Sequence, residues 1–189
     1  MGEVVLEMNL KQTGDAEAIG WMARDIGRAV AHLMGSKTYR EMAAYWPYHS
    51  GPFAEPMNRI QKVVASRSGD PRAGFAEPAG TGSGDVRPSA EVLESWRNPM
   101  VLSGELGPEI AALKQRIDGE IILHGGFGFV RSMLDEGLVD ECRFVVPPGG
   151  EGLIASILTP PHLKLAKLLR VEKFASGAAA HIYRNIGAT

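Results

Sequence analysis

Glu120-Ile-Ile-Leu-His-Gly-Gly-Phe-Gly-Phe129 decides the fold class of this chain. Its apolar run ends at His124 after only a few residues, too short for a buried helix and long enough for a strand. Gly125 and Gly126 follow at once. Phe127, Val130, Met133 and Leu134 then recur at helical spacing up to Gly137. Strand, tight glycine turn and helix form half of a parallel βαβ unit, and the helix start points unpaired N–H groups and a positive dipole end outward. Taken alone, the turn reads equally well as a plain βα connection or as an anion site. It lacks the G-x-G-x-x-G spacing of the usual dinucleotide fingerprint, and no acidic residue in strand context follows at the expected distance.

Working outward, apolar runs alternate with helical patterns. Strands are expected at 4–8, 29–34, 62–66, Met100–Leu102, Glu120–His124 and Glu141–Val146. Helices are expected at Ala16–Arg28, 38–45, 106–117 and 127–136. The helix at 106–117 places Leu106, Ile110, Leu113 and Ile117 on one face, with Pro108 in its first turn. Residues 163–174 and 178–183 flank Ser176-Gly177 and predict an antiparallel terminal hairpin. The alternation implies an α/β protein with a mainly parallel sheet covered on both faces. Residues 68–88, rich in Gly, Ala, Pro, Asp and Ser, predict a flexible loop inside one domain spanning 1–189.

Composition narrows the function. The chain has 189 residues and a formal net charge of −2, which argues against a broad nucleic-acid footprint. No apolar run approaches the roughly 20 residues of a membrane span, and residues 1–9 lack the features of a signal peptide. A cytoplasmic location is expected. Cys142 is the single cysteine, so it makes no internal disulfide and no zinc-ligand pair; a buried structural thiol is expected, and no metal.

Three strand ends carry residues suited to an anion. Gly35 allows a sharp turn, Ser36 and Thr38 can cap the next helix or bind a phosphate, and Lys37 adds charge. Ser66 and Arg67 stand at another strand end, where an arginine fork suits a phosphate. His124, Gly125, Gly126, Phe127 and Gly128 form the third. Each also fits a purely structural turn. Ligands of open parallel sheets bind at the carboxyl ends of strands, so the three together point to a cofactor.

The succession Met34-Gly-Ser-Lys-Thr-Tyr39, Tyr45-Trp-Pro47, Lys62-Val-Val-Ala-Ser-Arg67, Leu113-Lys114, His124-Gly-Gly126, then Leu134, Gly137-Leu-Val-Asp-Glu141 and Phe174-Ala-Ser-Gly177 before Tyr183 resembles the dihydrofolate reductase-like family. That family includes the reductase domain of bacterial riboflavin-biosynthesis deaminase-reductases. The resemblance implies a three-layer α/β/α fold around a mixed, mostly parallel sheet, NADPH as cofactor, and a homodimer. It implies phosphate contacts at Gly35 and Thr38, an adenosine 2′-phosphate contact at Ser66 and Arg67, and a pyrophosphate and nicotinamide contact at Gly125 and Gly126. It also implies a cis bond between Gly125 and Gly126.

The family's usual Ser-x-Asp-Gly segment after the first strand is replaced here by Asn9-Leu-Lys-Gln-Thr-Gly-Asp15. The family reading implies hydride transfer to a small heterocyclic or carbonyl substrate, as in pyrimidine reductase or dihydrofolate reductase. Asp15 is the candidate proton donor, its alternative being an N-cap of the following helix. Trp46 is the candidate substrate wall, beside Tyr45, Tyr48 and His49; Tyr45 fits core or dimer interface better. His124 is expected to fix its own turn by a hydrogen bond. The altered loop keeps a second reading open, a non-catalytic nucleotide- or ligand-binding member of the same fold. A third is a mononucleotide or phosphate-ester enzyme.

Overall fold

The computed structural model describes residues 1–11, 14–67 and 84–184. In chain order they form β1 (Glu3–Asn9), α1 (Ala16–Arg28), β2 (Ala31–Gly35), α2 (Ser36–Tyr45), α3 (Ala54–Arg59), β3 (Gln61–Ala65), α4 (Ala90–Arg97), β4 (Met100–Leu102) and α5 (Leu106–Arg116). There follow β5 (Glu120–His124), α6 (Phe127–Asp135), β6 (Glu141–Val146), α7 (Ile154–Ile157), α8 (Pro160–Leu165), β7 (Lys167–Lys173) and β8 (Ala179–Arg184). All the strands join one 8-stranded sheet in the order β4-β3-β2-β5-β1-β6-β8-β7. β1 to β6 pair in parallel, and β8 joins β6 antiparallel with β7 outside it.

The alternation of β1 shows why three layers form. Val4 and Leu6 pack with Ile110 and Leu113 of α5 and Met133 of α6. Val5, pointing the other way, packs with Ile26 of α1 and Met57 of α3. All three valine and leucine side chains are fully buried. Residues 4–6 of β1 are therefore continuously apolar, because both faces are covered there. Cys142 of β6 is buried in the α5–α6 layer, as a structural thiol should be. Burial pushes its thiol well above the ordinary range, which leaves it unreactive.

The expected mixed α/β/α architecture is the observed one. β2 starts two residues later than expected, at Ala31, and α2 two residues earlier, at Ser36. The largest boundary difference is at the terminal hairpin, where residues 163–165 belong to α8 and β7 starts at Lys167. Pro160 and Pro161 open that helix, where a missing N–H costs nothing, so the chain turns helical before it extends. α3, α4 and α7 are additions to the expected elements. Of the loop expected at 68–88, residues 68–83 lie outside the described residues. Residues 84–88 hold to the rest of the fold: Val86 N–H donates to the Tyr48 carbonyl at 3.1 Å, and Ser50 N–H donates to the Asp85 carboxylate at 2.8 Å. No helix among the described residues is long and apolar enough to cross a membrane, and no cluster there could hold a metal ion.

Candidate functional site

The carboxyl ends of β1, β2 and β5 open into a cavity of about 1070 Å³. β2 and β5 are neighbours, as are β5 and β1, so three strand ends meet there. Two of them feed directly into helices. Gly35 is the N-cap of α2 and Gly126 the N-cap of α6, and neither helix start has a side-chain cap. Their first N–H groups are thus left for an anion, with the dipole ends reinforcing them. Lys37 and Thr38 on one side and Phe127 and Gly128 on the other complete these two walls. Lys37 is exposed and pairs loosely with Glu41 at 3.8 Å.

Phe129 ties the two turns together. A Cβ placed on Gly35 would lie 3.5 Å from Phe129 Cγ, and one on Gly125 would lie 2.9 Å from its Cδ1. The ring therefore seats against both glycine turns and has no room for a side chain at Gly125. Gly126 and Gly128 face open space, with nothing within 4 Å of an added Cβ. Their missing side chains leave backbone bare along the cavity rim.

The opposite wall is apolar. Ile19, Met22 and Ile26 of α1 face Met42, Trp46 and Phe53. Trp46 packs edge-on against Phe53 with ring centroids 6.2 Å apart.

The remaining wall, from β1, is chemically unusual. Glu7 and Asn9, two apart and so on one face of the strand, both line the cavity. Glu7 is 1% exposed, and neither of its carboxyl oxygens has a hydrogen-bond partner among the described residues; the same holds for Asn9 Oδ1. Arg143 of β6 stands beside Glu7 in the parallel register. Its guanidinium is already taken: it bonds Asp25 of α1, Glu120 at 2.7 Å and Glu141 at 2.6 Å. Arg28 also pairs with Asp25, and Arg184 with Glu141 and Glu3. Three guanidiniums thus face four carboxylates before Glu7 is counted. Burial is the main force raising the Glu7 carboxyl, which is pushed up to about 8 despite the opposing pull of Arg143.

His124 ends β5 on the same cavity. Its Nδ1 lies 2.8 Å from Nε2 of the fully buried His32 on β2. Burial depresses both imidazoles, His124 to about 4, so the pair is neutral at ordinary pH. His32 Nδ1 is buried without a partner. A bare acceptor there costs less than a bare N–H, which favours His32 Nε2–H donating to His124 Nδ1 and leaves His124 Nε2 as an N–H donor.

The family model described as the RibD C-terminal domain matches residues 11–179. This chain belongs to the RibD C-terminal domain family. Two solved structures share its fold. One is a Shewanella sp. PV-4 protein assigned to riboflavin biosynthesis, 16% identical, with TM-score 0.53 and 97% of each chain covered. The other is RibD of Acinetobacter baumannii, 17% identical, with TM-score 0.52 over 97% of this chain and 58% of that one. No curated protein matches the chain in sequence.

In this RibD C-terminal domain the cavity gathers Gly35, Lys37, Thr38, Trp46, His124, Gly125, Gly126, Phe127 and Gly128 from the residues expected at the site. Ser36, Ser66, Arg67 and Asp15 do not line it. Ser66, at the end of β3, is buried with Oγ unpartnered among the described residues, and Arg67 is exposed at the margin of the described chain.

Asp15 is the N-cap of α1, accepting from Glu17 N–H at 2.8 Å and Ala18 N–H at 3.2 Å. It also bonds Ser176 in the β7–β8 turn, and that hydrogen bond holds its carboxyl below the ordinary range. A half-buried, ionised aspartate engaged in capping is poorly suited to give up a proton. The Gly125–Gly126 bond is trans, since no cis bond occurs among the described residues. His124 bonds across the sheet to His32 and not within its own turn. Tyr45 lies on the surface, stacked on His49 with centroids 3.7 Å apart, and not in the core.

The residue missed by sequence reading is Glu7. Its signal was an acid inside Val4-Val-Leu-Glu-Met8, a strand otherwise apolar on both faces.

Proposed function

We propose that this protein is an NADPH-dependent reductase that transfers a hydride to a small heterocyclic or carbonyl substrate. The observation that carries this reading is the pair of uncapped helix starts, at Gly35 and Gly126, facing one cavity beside an apolar wall. A dinucleotide offers charged phosphates for the helix starts and flat rings for an apolar wall. The bare backbone at Gly126 and Gly128 lets such a ligand approach closely. Arg67, exposed two residues beyond the end of β3, is the candidate partner of a 2′-phosphate.

The bound cofactor would supply the hydride, and the chain's own task is to orient, to exclude water and to handle the proton. Phe129 keeps the two glycine turns in register, and Phe127 and Trp46 offer aromatic surface. Membership of the RibD C-terminal domain family and the Shewanella neighbour's assignment to riboflavin biosynthesis support a pyrimidine-type acceptor. An orphan acid in the cavity wall, a group of the kind that catalytic sites use to hold or move a proton, supports catalysis over passive binding.

Thermal denaturation with nucleotides tests the proposal. NADPH at about a hundred times its dissociation constant should raise the melting temperature by roughly 5–10 °C. Arg67→Ala should erase any preference for NADPH over NADH. The absence of any shift with millimolar NADPH would overturn the reading. Simple mononucleotides stabilising as well as NADPH would favour a phosphate-ester enzyme instead.

A further inference from the structure

We propose that Glu7 stands in the cavity wall as a neutral carboxylic acid and delivers the proton to the heteroatom of the hydride acceptor. This rests on the nucleotide reading above and assigns the one chemical role that reading leaves open. Glu7 is a central-strand residue, 1% exposed, that lines the cavity with both oxygens unpartnered. Asn9, two residues on, presents a second orphaned polar atom to the same space. Two unsatisfied groups side by side on one strand are a costly arrangement unless something in the cavity completes them.

The surroundings keep Glu7 neutral. The titratable and charged groups near it come from three elements. From β6 come Arg143 and Glu141, which bond each other; from β5 come Glu120, bonded to Arg143, and the neutral His124; from α1 come Asp25 and Arg28, bonded to each other. Among the described residues no guanidinium of the cluster is left over, and the cluster already carries more carboxylates than cations. An ionised Glu7 would add a second uncompensated negative charge inside it.

The step balances as follows. The acceptor carbon of a C=O or C=N group gains a hydride with both electrons from the reduced nicotinamide. The π pair moves onto the heteroatom. The O–H bond of Glu7 breaks as the heteroatom–H bond forms. The acceptor is reduced by two electrons, the nicotinamide is oxidised, and Glu7 is left as a carboxylate that solvent reprotonates.

The test is carbon-13 NMR of glutamate-labelled protein, titrated without and with saturating NADPH. Glu7 is assigned by its absence in Glu7→Gln and, independently, in Glu7→Leu. Nucleotide fluorescence measures NADPH binding in parallel. The expected result is a protonated Glu7 at pH 7 whose titration midpoint rises by half a unit or more with NADPH, as the cavity is further dried. Glu7→Gln should bind NADPH within about twofold of wild type and lose roughly a hundredfold or more in turnover of any carbonyl compound that wild type reduces. A Glu7 ionised at pH 7, a midpoint indifferent to NADPH, or an unchanged Glu7→Gln rate would overturn the proposal. If fluorescence shows no NADPH binding, the nucleotide reading fails and this proposal with it, whatever the protonation of Glu7.

Discussion

At the scale of the residue, the buried carboxyl of Glu7 ties stability to pH. An unfolded glutamate ionises near 4.5, whereas in the fold Glu7 holds its proton until about 8. Between those values the folded state binds the extra proton, so stability falls as pH rises through the window and levels off above it. Calorimetry of wild type and Glu7→Gln from pH 4.5 to 8.5 isolates this group, because every other titration is common to both. The variant should match wild type near pH 4.5 and exceed it at pH 8 by roughly 3–5 kcal/mol. A pH-independent difference would mean that Glu7 is ionised throughout. Individual site residues were unevenly legible in the sequence. Gly35, Lys37, Thr38 and His124 through Gly128 stood out because strand ends before helices announce themselves. Glu7 did not, because its isolation depends on Arg143 being spent on Glu141 two residues away and on Asp25 and Glu120, both distant from it in sequence. For Asp15 the capping signal was local and readable, but its partner Ser176 lies on a distant turn.

At the scale of the element, the two glycines of the β5–α6 turn serve different ends, and substitutions separate them. Gly126 has φ −67°, a value any residue adopts, and open space around an added Cβ. Gly126→Ala should therefore melt within about a degree of wild type. It should bind NADPH about tenfold more weakly, some 1.4 kcal/mol, because the methyl group stands where the ligand approaches. Gly125→Ala should lower both melting temperature and affinity, since its methyl would meet Phe129 at 2.9 Å and push the ring off both turns. Equal melting temperatures for the two variants would refute this division of labour. The elements that sequence pattern revealed were those with sustained periodicity: α1 and β4 to β6 keep their expected bounds, apart from one residue at the C-terminal ends of α5 and α6. The short α3, α4 and α7 offered too few residues for a helical period to register. α4 is marked only by its Ser89 cap, whose Oγ accepts from Val92 N–H at 3.2 Å, and by the burial of Trp96.

At the scale of the whole molecule, the two ends of the sheet differ, and the difference bears on assembly. β4 ends one side with three residues, whereas β7 ends the other with seven, mostly exposed. Leu168, Leu169 and Val171 are each 39–48% exposed, and Leu163 and Leu165 of the adjoining α8 are exposed as well. Such an apolar edge invites self-association unless it is covered. A register shift between Leu168 and Arg170 interrupts the regular ladder of β7, so side-chain packing is a better route than extension of the sheet. The homodimer implied by the family resemblance is therefore predicted to form through β7 and α8. Light scattering at micromolar concentration should give twice the 20.3 kDa chain mass. The double variant Leu169→Asp, Val171→Asp should give the single-chain mass with unaltered NADPH binding, because the cavity lies across the sheet at β1, β2 and β5. The wild-type melting temperature should rise with protein concentration and that of the variant should not. A wild-type mass of one chain would refute the homodimer, and a double variant that remains dimeric would place the interface elsewhere.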